Sequence, residues 1–471
     1  MSNTDPKRPS AAQPNKQPDA RRTIMLTAPV GQTLTNLTIP TTFGLLGMVA
    51  FNLVDTFFVG QLGTQQLAAI SFTYPVVIVV LSISSGIGLG GSALIAHAIG
   101  EGDQARVRRI TSDLILLALL IVILIASVGV LTVEPLFTAL GAPSDVLALI
   151  DDYMFIWYIM VVVVLIPQIG NLAIRATGDA KTPSIIMLVA VVINIILDPL
   201  LIFGWGPFPR LELVGAALAT ALSRVFTMIY ALYILYFRDD MITFEWPGLR
   251  ALLISWRDIL AIGIPAATTN MITPLSLGLL TRLVATHGVA AVGAFGVASR
   301  IDSLAIIVIW SLANILSPFV GQNWGAGNYD RVRRAIRLSL QFAMVWGVVM
   351  LLVLAPPGRW IASIFSDNPE VIDYVYLYLW IIPLGYGPQG VLRLAGFTLN
   401  VLNKPVYSMV LTLMQMFVFY IPLAYAGSYM MGVAGIFAAG TIAHTLASII
   451  AYRVLIQTVN TEERRALQVV K

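Results

Sequence analysis

Apolar residues in this chain run in long blocks, with neither the alternation of a strand nor the one-sided stripe of a soluble helix. Twelve blocks fall near 36–60, 66–98, 111–140, 153–174, 184–204, 212–237, 258–285, 291–322, 334–365, 371–398, 406–427 and 431–457. About 20 apolar residues suffice to cross a bilayer as a helix. The pattern therefore predicts an all-α integral membrane fold of twelve transmembrane helices, in two pseudo-symmetric six-helix lobes. Several blocks are long enough to tilt or kink.

The polar separators alternate in charge. One set carries Arg21 and Arg22, then Arg106, Arg108 and Arg109, then Lys181, then Arg238, Arg250 and Arg257, then Arg331, Arg333 and Arg334, then Lys404, then Arg464 and Arg465. The other set reads GQLGTQQ, GAPSDVLALIDD, THGVAA, SDNPE and AGSYMMG, without Lys or Arg; Arg210 is the clear exception. Positive loops stay in the cytoplasm. Both termini are therefore expected there, in a multi-pass protein of the cell inner membrane.

The halves align at an offset of 225 residues. Ile39-Pro40 meets Ile264-Pro265, and Gly100-Glu101-Gly102 followed by Arg106-Val107-Arg108-Arg109 meets Gly325-Ala326-Gly327 followed by Arg331-Val332-Arg333-Arg334. Six spans per copy keep both copies in the same orientation, so a pseudo-two-fold axis runs along the membrane normal. The expected division is a disordered tail at 1–23, an N-lobe at 24–237, a charged linker at 238–257, a C-lobe at 258–457 and a second tail at 458–471. The first tail is polar, Pro-rich and basic, a composition that cannot bury enough surface to fold alone.

Composition narrows the chemistry. The chain is 58% hydrophobic and 11% charged, with mean hydropathy +0.85. It has no cysteine and three histidines far apart, His97, His287 and His444. Disulfides, thiolate metal sites and thiol catalysis are excluded, and a histidine metal cluster is not expected. No cofactor is expected, and the net charge of +4 needs no nucleic-acid partner.

Two segments carry a family likeness. One is Val54-Asp55-Thr56-Phe57-Phe58-Val59-Gly60-Gln61-Leu62-Gly63, continuing to Leu67-Ala68-Ala69. The other is Gly321-Gln322-Asn323-Trp324-Gly325-Ala326-Gly327-Asn328, ending in Arg333-Arg334. The chain resembles the multidrug and toxic compound extrusion (MATE) family over about residues 30–457. The likeness implies a monomeric secondary antiporter, not an enzyme, that expels amphipathic, often cationic compounds in exchange for H⁺ or Na⁺. The chief rival architecture, the major facilitator class, carries an acidic–basic motif in its second-to-third loop that GEGDQARVRR lacks. A lipid-linked sugar flippase of the same superfamily is the alternative, and a membrane-embedded enzyme is the reading from another class.

Charges inside the spans single out residues, because each costs at least ~2.5–3.5 kcal/mol at the bilayer centre. Asp55, Asp198 and Thr220 all fall roughly 8–12 Å below the outer surface at 1.5 Å per residue. Asn194 and Asp198 are four apart and share a helix face. Pro199 cannot donate to the carbonyl of Ile195, so a kink is expected there. Such hard oxygen donors suit Na⁺ or a shared proton. The resemblance to the DinF-like branch implies the same: an N-lobe ion site on Asp55, Asn194 and Asp198, with Thr220 matching a sixth-helix threonine. No other metal site is expected. Leu280, Phe417 and Ile421 stand at the second-half positions of Asp55, Asn194 and Asp198.

Gln168, Arg175, Gln389, Arg282 and Arg300 are candidates for the cavity. Met271, Met414 and Met416 are candidate adaptable surface. Arg300 and Asp302 are expected to make local or interlobe pairs, and His97 to be structural.

The topology has a direct test, since the chain is free of cysteine. In intact cells an impermeant thiol reagent should label Ser428→Cys and spare Arg108→Cys. The opposite pattern would reverse the orientation.

Overall fold

The structure, a computed structural model, describes residues 16–469, and every regular element among them is helical. Ten helices are individually long and apolar enough to cross a membrane. An eleventh crossing is the pair Val289–Ala305 and Ile307–Gly325, bent by 42° at Ile306. Pro369–Ile381, the turn Ile382–Gly385 and Tyr386–Val401 follow one another as the twelfth. In chain order the crossings are Val30–Gly60, Thr64–Glu101, Gln104–Ala139, Ser144–Ala176, Lys181–Ile202, Glu212–Arg238, Leu249–Ala285, Val289–Gly325, Tyr329–Leu354, Pro369–Val401, Pro405–Met431 and Val433–Val469; they are called the first to twelfth spans below.

Three expected boundaries change. Residues 16–23 are not a disordered tail: Lys16–Thr27 is a helix, while residues 1–15 lie outside the described ones. Composition judged this segment in isolation. Docking supplies the burial it lacks, with Met25 only 1% exposed. The linker at 238–257 shrinks to 239–248, because the seventh span starts at Leu249. Leu252 is buried there and the Trp256 indole donates to the Asp113 carbonyl at 3.0 Å, so the segment continues as helix. The second tail is largely helix, since the twelfth span runs to Val469, and Glu462 and Glu463 on it pair with Lys404 and Arg333.

The repeat is visible in the backbone. Left-handed residues recur 225 positions apart: Gly102 (φ 80°) with Gly327 (φ 75°), and Gly178 (φ 87°) with Asn403 (φ 58°). Glycine and asparagine are the residues that tolerate this conformation. Contacts between the halves repeat in the same way. A Cβ on Gly100 would meet the Gln322 carbonyl at 2.2 Å, and one on Gly325 would meet the His97 carbonyl at 2.3 Å. The side chains beside these notches cross between the halves. His97 Nε2 lies 2.7 Å from the Val401 carbonyl, and Gln322 Nε2 donates to the Ala176 carbonyl at 2.6 Å. His97 and Gln322, and Ala176 and Val401, are again 225 apart. The two copies of the repeat therefore meet at the arginine-rich face through one contact used twice.

From that face the second span runs against the seventh as far as Gly86, whose Cβ would meet the Gly263 carbonyl at 2.4 Å, and Asn270 Nδ2 donates to Ser85 Oγ at 3.3 Å. Toward the arginine-poor face the halves separate. The Ile307–Gly325 part of the eighth span packs on the first and second spans. Beyond the bend, Val289–Ala305 packs on the seventh and tenth spans of its own half. The molecule thus holds a cleft closed at the arginine-rich face and open at the other.

An ion network braces the closed face. Asp179 accepts from the Thr182 backbone amide (3.0 Å), the Thr182 hydroxyl (2.6 Å) and Arg238 (2.8 Å), with Arg21 at 3.5 Å. Burial opposes the charge of Asp179, but the two Thr182 bonds and the two arginines outweigh it and hold the carboxyl below its ordinary range. A depressed folded pKa means that the stabilisation is complete above about pH 4 and fades as pH falls through the folded value. Asp179→Asn removes one of the two carboxylates that Arg21 and Arg238 share, leaving Asp239. It should destabilise the protein by roughly 1–3 kcal/mol at neutral pH, seen as a lowered thermal midpoint in detergent. The gap between variant and wild type should narrow on acidification; a gap independent of pH would deny the carboxylate this role.

Candidate functional site

The first, fifth and sixth spans come together toward the open end. The first packs along the fifth and the fifth along the sixth, and glycines let them close in. A Cβ on Gly44 would meet Ser184 at 2.9–3.0 Å, and one on Gly215 would meet the Leu201 carbonyl at 2.4 Å. Small residues that admit a neighbouring backbone are the usual device for joining helices in lipid.

Asn194 and Asp198 sit on the buried face of the fifth span, both 0% exposed. Asn194 Nδ2 donates to Asp198 Oδ1 at 3.0 Å. Pro199 occupies a helix that continues to Ile202 without a break; the expected kink is not a helix break. Asp55 is half-buried on the first span, within electrostatic reach of Asp198 and of the Tyr153 phenol on the fourth. Three buried oxygens here have no hydrogen-bond partner: Asp55 Oδ1, Asn194 Oδ1 and Asp198 Oδ2. Orphaned buried polar atoms are costly, and here they belong to the residues chosen from sequence. Two carboxylates and an amide oxygen can bind a small hard cation or share a proton. Thr220 is half-buried on the sixth span, and its carbonyl accepts from the Ser223 hydroxyl at 2.8 Å.

The equivalent place in the second half is apolar and built differently. Leu280 is 4% exposed and lies in a hydrophobic cluster. Met414–Tyr420 is π-helical, and there Phe417 is 45% exposed while Gln415 is buried. A π segment widens the turn, so the eleventh span presents a different face from the fifth.

The cavity candidates divide. Arg300 is exposed on the outer part of the eighth span, and Arg282 is exposed near the end of the seventh. Gln168 and Gln389 are half-buried. Arg175 does not reach the cleft: it is 7% exposed near the arginine-rich end of the fourth span, with Nη2 3.5 Å from Met187 Sδ. The local or interlobe ion pairs expected of Arg300 and Asp302 do not form among the described residues. Asp302 instead lies within electrostatic reach of the buried phenols of Tyr378, Tyr386 and Tyr420.

Sequence reasoning passed over Arg224, one turn from Thr220. Its guanidinium stacks 5.0 Å from the Phe51 ring, and its Nε is buried without a partner. Its place in an apolar block was the available signal. His97 fills a structural role as expected, and that role is a bond between the halves.

Three comparisons bear on this geometry. The MatE family model matches the chain twice, at residues 40–200 and 265–426. The FAD transporter of Shewanella oneidensis is 38% identical over 91% of this chain and 95% of its own length. The probable multidrug resistance protein YoeA of Bacillus subtilis is 26% identical over 80% of this chain and 82% of its own. Among solved structures, the Vibrio cholerae MATE transporter VcmN in its bent form superposes with a TM-score of 0.87 at 28% identity, covering 94% of this chain and 99% of that one.

Proposed function

The chain belongs to the MatE family of membrane transporters, and from that premise we propose that it is an ion-driven exporter working by alternating access. The arginine-rich face is cytoplasmic in this reading, so the cleft opens outward. The observation that carries the proposal is the set of three orphaned oxygens on Asp55, Asn194 and Asp198. In this reading they receive H⁺ or Na⁺ from outside. The ion moves inward at about 2.3 kcal/mol per charge per 100 mV, and it drives the cycle through its different affinity for the two lobe arrangements.

A second observation concerns the substrate. Between exposed Val289 and Leu304 at its two ends, the exposed stripe on the outer part of the eighth span is Gly293, Gly296, Arg300 and Ser303. Faces turned to lipid look different: the third span exposes Leu116, Leu119, Leu120, Ile123 and Leu124. A small and polar stripe bearing an arginine belongs against water, hence in the cleft. Arg300 has no ion-pair partner among the described residues. An unneutralised guanidinium repels organic cations and recognises phosphate or carboxylate by paired hydrogen bonds. This favours an anionic, phosphate-bearing substrate over the cationic drug first expected. The relative named as an FAD transporter makes FAD the compound to try first. An inside-negative potential also favours outward movement of an anion.

Two measurements in proteoliposomes test these readings. With ΔpH and a Na⁺ gradient imposed separately, Asp55→Asn and Asp198→Asn should abolish uphill export while Leu280→Asn stays close to wild type. Uphill export by either Asp variant, or equal loss in Leu280→Asn, removes the N-lobe ion site. Arg300→Gln should lower FAD export about tenfold or more, the worth of one charge-assisted bond, and leave export of an organic cation such as ethidium undiminished. Wild-type FAD export by Arg300→Gln removes the anion anchor.

A further inference from the structure

We propose that the helix Lys16–Thr27 and the turn after it act as a latch, which holds the two lobes together at the cytoplasmic face and must let go of the C-lobe in every transport cycle. The observation is a set of bonds made to both lobes by one short segment. On the N-lobe side, Arg21 Nη1 bonds Asp239 Oδ1 at 3.1 Å and Arg21 Nη2 approaches Asp179 at 3.5 Å. Arg22 Nη2 donates to the Gly100 carbonyl at the end of the second span at 3.0 Å. On the C-lobe side the latch offers carbonyls. Asn323 Nδ2 donates to Met25 O at 3.1 Å, and Arg331 Nη2 donates to Met25 O at 3.1 Å and to Ala28 O at 2.7 Å. Arg331 is itself held by Asn323 Oδ1 at 3.0 Å. The Met25 side chain fills the seam. It touches Gly178 of the N-lobe and lies in the same hydrophobic cluster as Phe319, Val320 and Val332 of the C-lobe.

The pseudo-symmetry shows what this segment replaces. Residues 239–248, which lead into the first span of the C-lobe, lie on the loop between the second and third spans. There Gln104 Nε2 and Arg108 Nε donate to the Asp240 carbonyl at 2.9 and 3.2 Å, and Met241 is 1% exposed in the N-lobe core. The latch leads into the first span of the N-lobe and lies on the matching loop of the other lobe, with Met25 buried likewise. Arg106 and Arg331 are repeat partners, and only Arg331 reaches across to a lead-in segment; Arg106 pairs locally with Glu101. The lead-in to the C-lobe is tied at both ends by the chain. The lead-in to the N-lobe is held to the C-lobe by hydrogen bonds from Asn323 and Arg331, which can break and re-form.

The side that releases follows from the bonds. The latch is continuous with the first span and ion-paired to the N-lobe, while the C-lobe holds it through bonds to its carbonyls and through the packing of Met25. It travels with the N-lobe when the cytoplasmic face opens, and Arg331 and Asn323 are the groups that let go. The latch thus biases the resting molecule toward the outward-open arrangement. This goes beyond ion coupling and substrate choice, and it stands if either of those fails.

The test uses the cysteine-free chain with Ala93→Cys, a site 1% exposed in the cluster that holds Met25. It is labelled in inside-out vesicles by a membrane-impermeant maleimide. Arg331→Gln, and separately Asn323→Ala, should raise the labelling rate about tenfold or more, as expected when a charge-assisted bond that favours one of two states is lost. Arg331→Lys, which keeps the charge but cannot span two carbonyls, should fall between. Arg22→Gln loosens the N-lobe side and should act in the same direction. Protein that remains monodisperse in detergent with unchanged labelling in Arg331→Gln and Asn323→Ala overturns the latch. So does a rise that accompanies general exposure of a control cysteine at Leu235, a buried N-lobe site at the same face, because that is unfolding and not opening.

Discussion

The fold depends on one backbone approach made twice. Gly100 lies against the carbonyl of Gln322, and Gly325 lies against the carbonyl of His97, so near that a methyl group at either glycine would overlap the opposite chain. Two copies of a six-span unit can meet this way only about an axis through that point. The side chains of His97 and Gln322 then reach the ends of the tenth and fourth spans symmetrically. Because the contact sits at the arginine-rich end of long, bent helices, the other ends are left apart. Beyond its 42° bend the eighth span leaves the N-lobe and packs on the seventh and tenth spans of its own half. The shape of the cleft is thus a consequence of where the two copies touch.

Symmetry fixes the frame, and departures from it make the function. The fifth span buries Asn194 and Asp198 in a regular helix, whereas the eleventh passes through a π segment at the matching depth and turns Phe417 outward. Asp179 and Lys404 are repeat partners of opposite charge, paired respectively with arginines and with Glu462. Each half needs an ion pair at that corner, but either polarity serves, because the requirement is a neutral buried corner and not a particular sign. The carboxylates of Asp55 and Asp198 differ: they share one region of one half, without a cation beside them, and no frame requires it. On that asymmetry rests the proposal that they form an ion site and not a structural pair.

Much of this was legible in the residues. The apolar blocks give the spans, and the identity of Arg106–Arg109 with Arg331–Arg334 gives the repeat and its offset. Asp55, Asn194 and Asp198 stood out because charge in an apolar block needs a reason, and the structure brings them together. What escaped had no local signature. Lys16–Thr27 reads as a disordered tail until the groove that receives Met25 exists. Arg175 falls at the edge of an apolar block, and its burial beside Met187 is set by packing that the sequence does not show. The ion pairs expected of Arg300 and Asp302 needed partners from other segments, whose placement the sequence does not give, and none is present among the described residues. The π turn near Gln415 follows from tertiary packing, and no residue there announces it.

The distance between the charged site and the closed face sets the last constraint. The unpaired oxygens lie toward the open end of the first and fifth spans, while the bonds that hold the lobes shut lie at their opposite ends. An ion bound at Asp55 and Asp198 touches neither His97 nor Gln322. It can influence them only by changing how the first span sits on the fifth, since the first span also carries the segment that ends in Met25. The glycine contacts there, Gly44 against Ser184 and Gly47 against Leu188, lie between the two ends and allow little play. A close-packed seam shifts as a unit or not at all. Relief or addition of repulsion between the two carboxylates therefore has one rigid element through which to act, the first span. Its far end is where the latch begins.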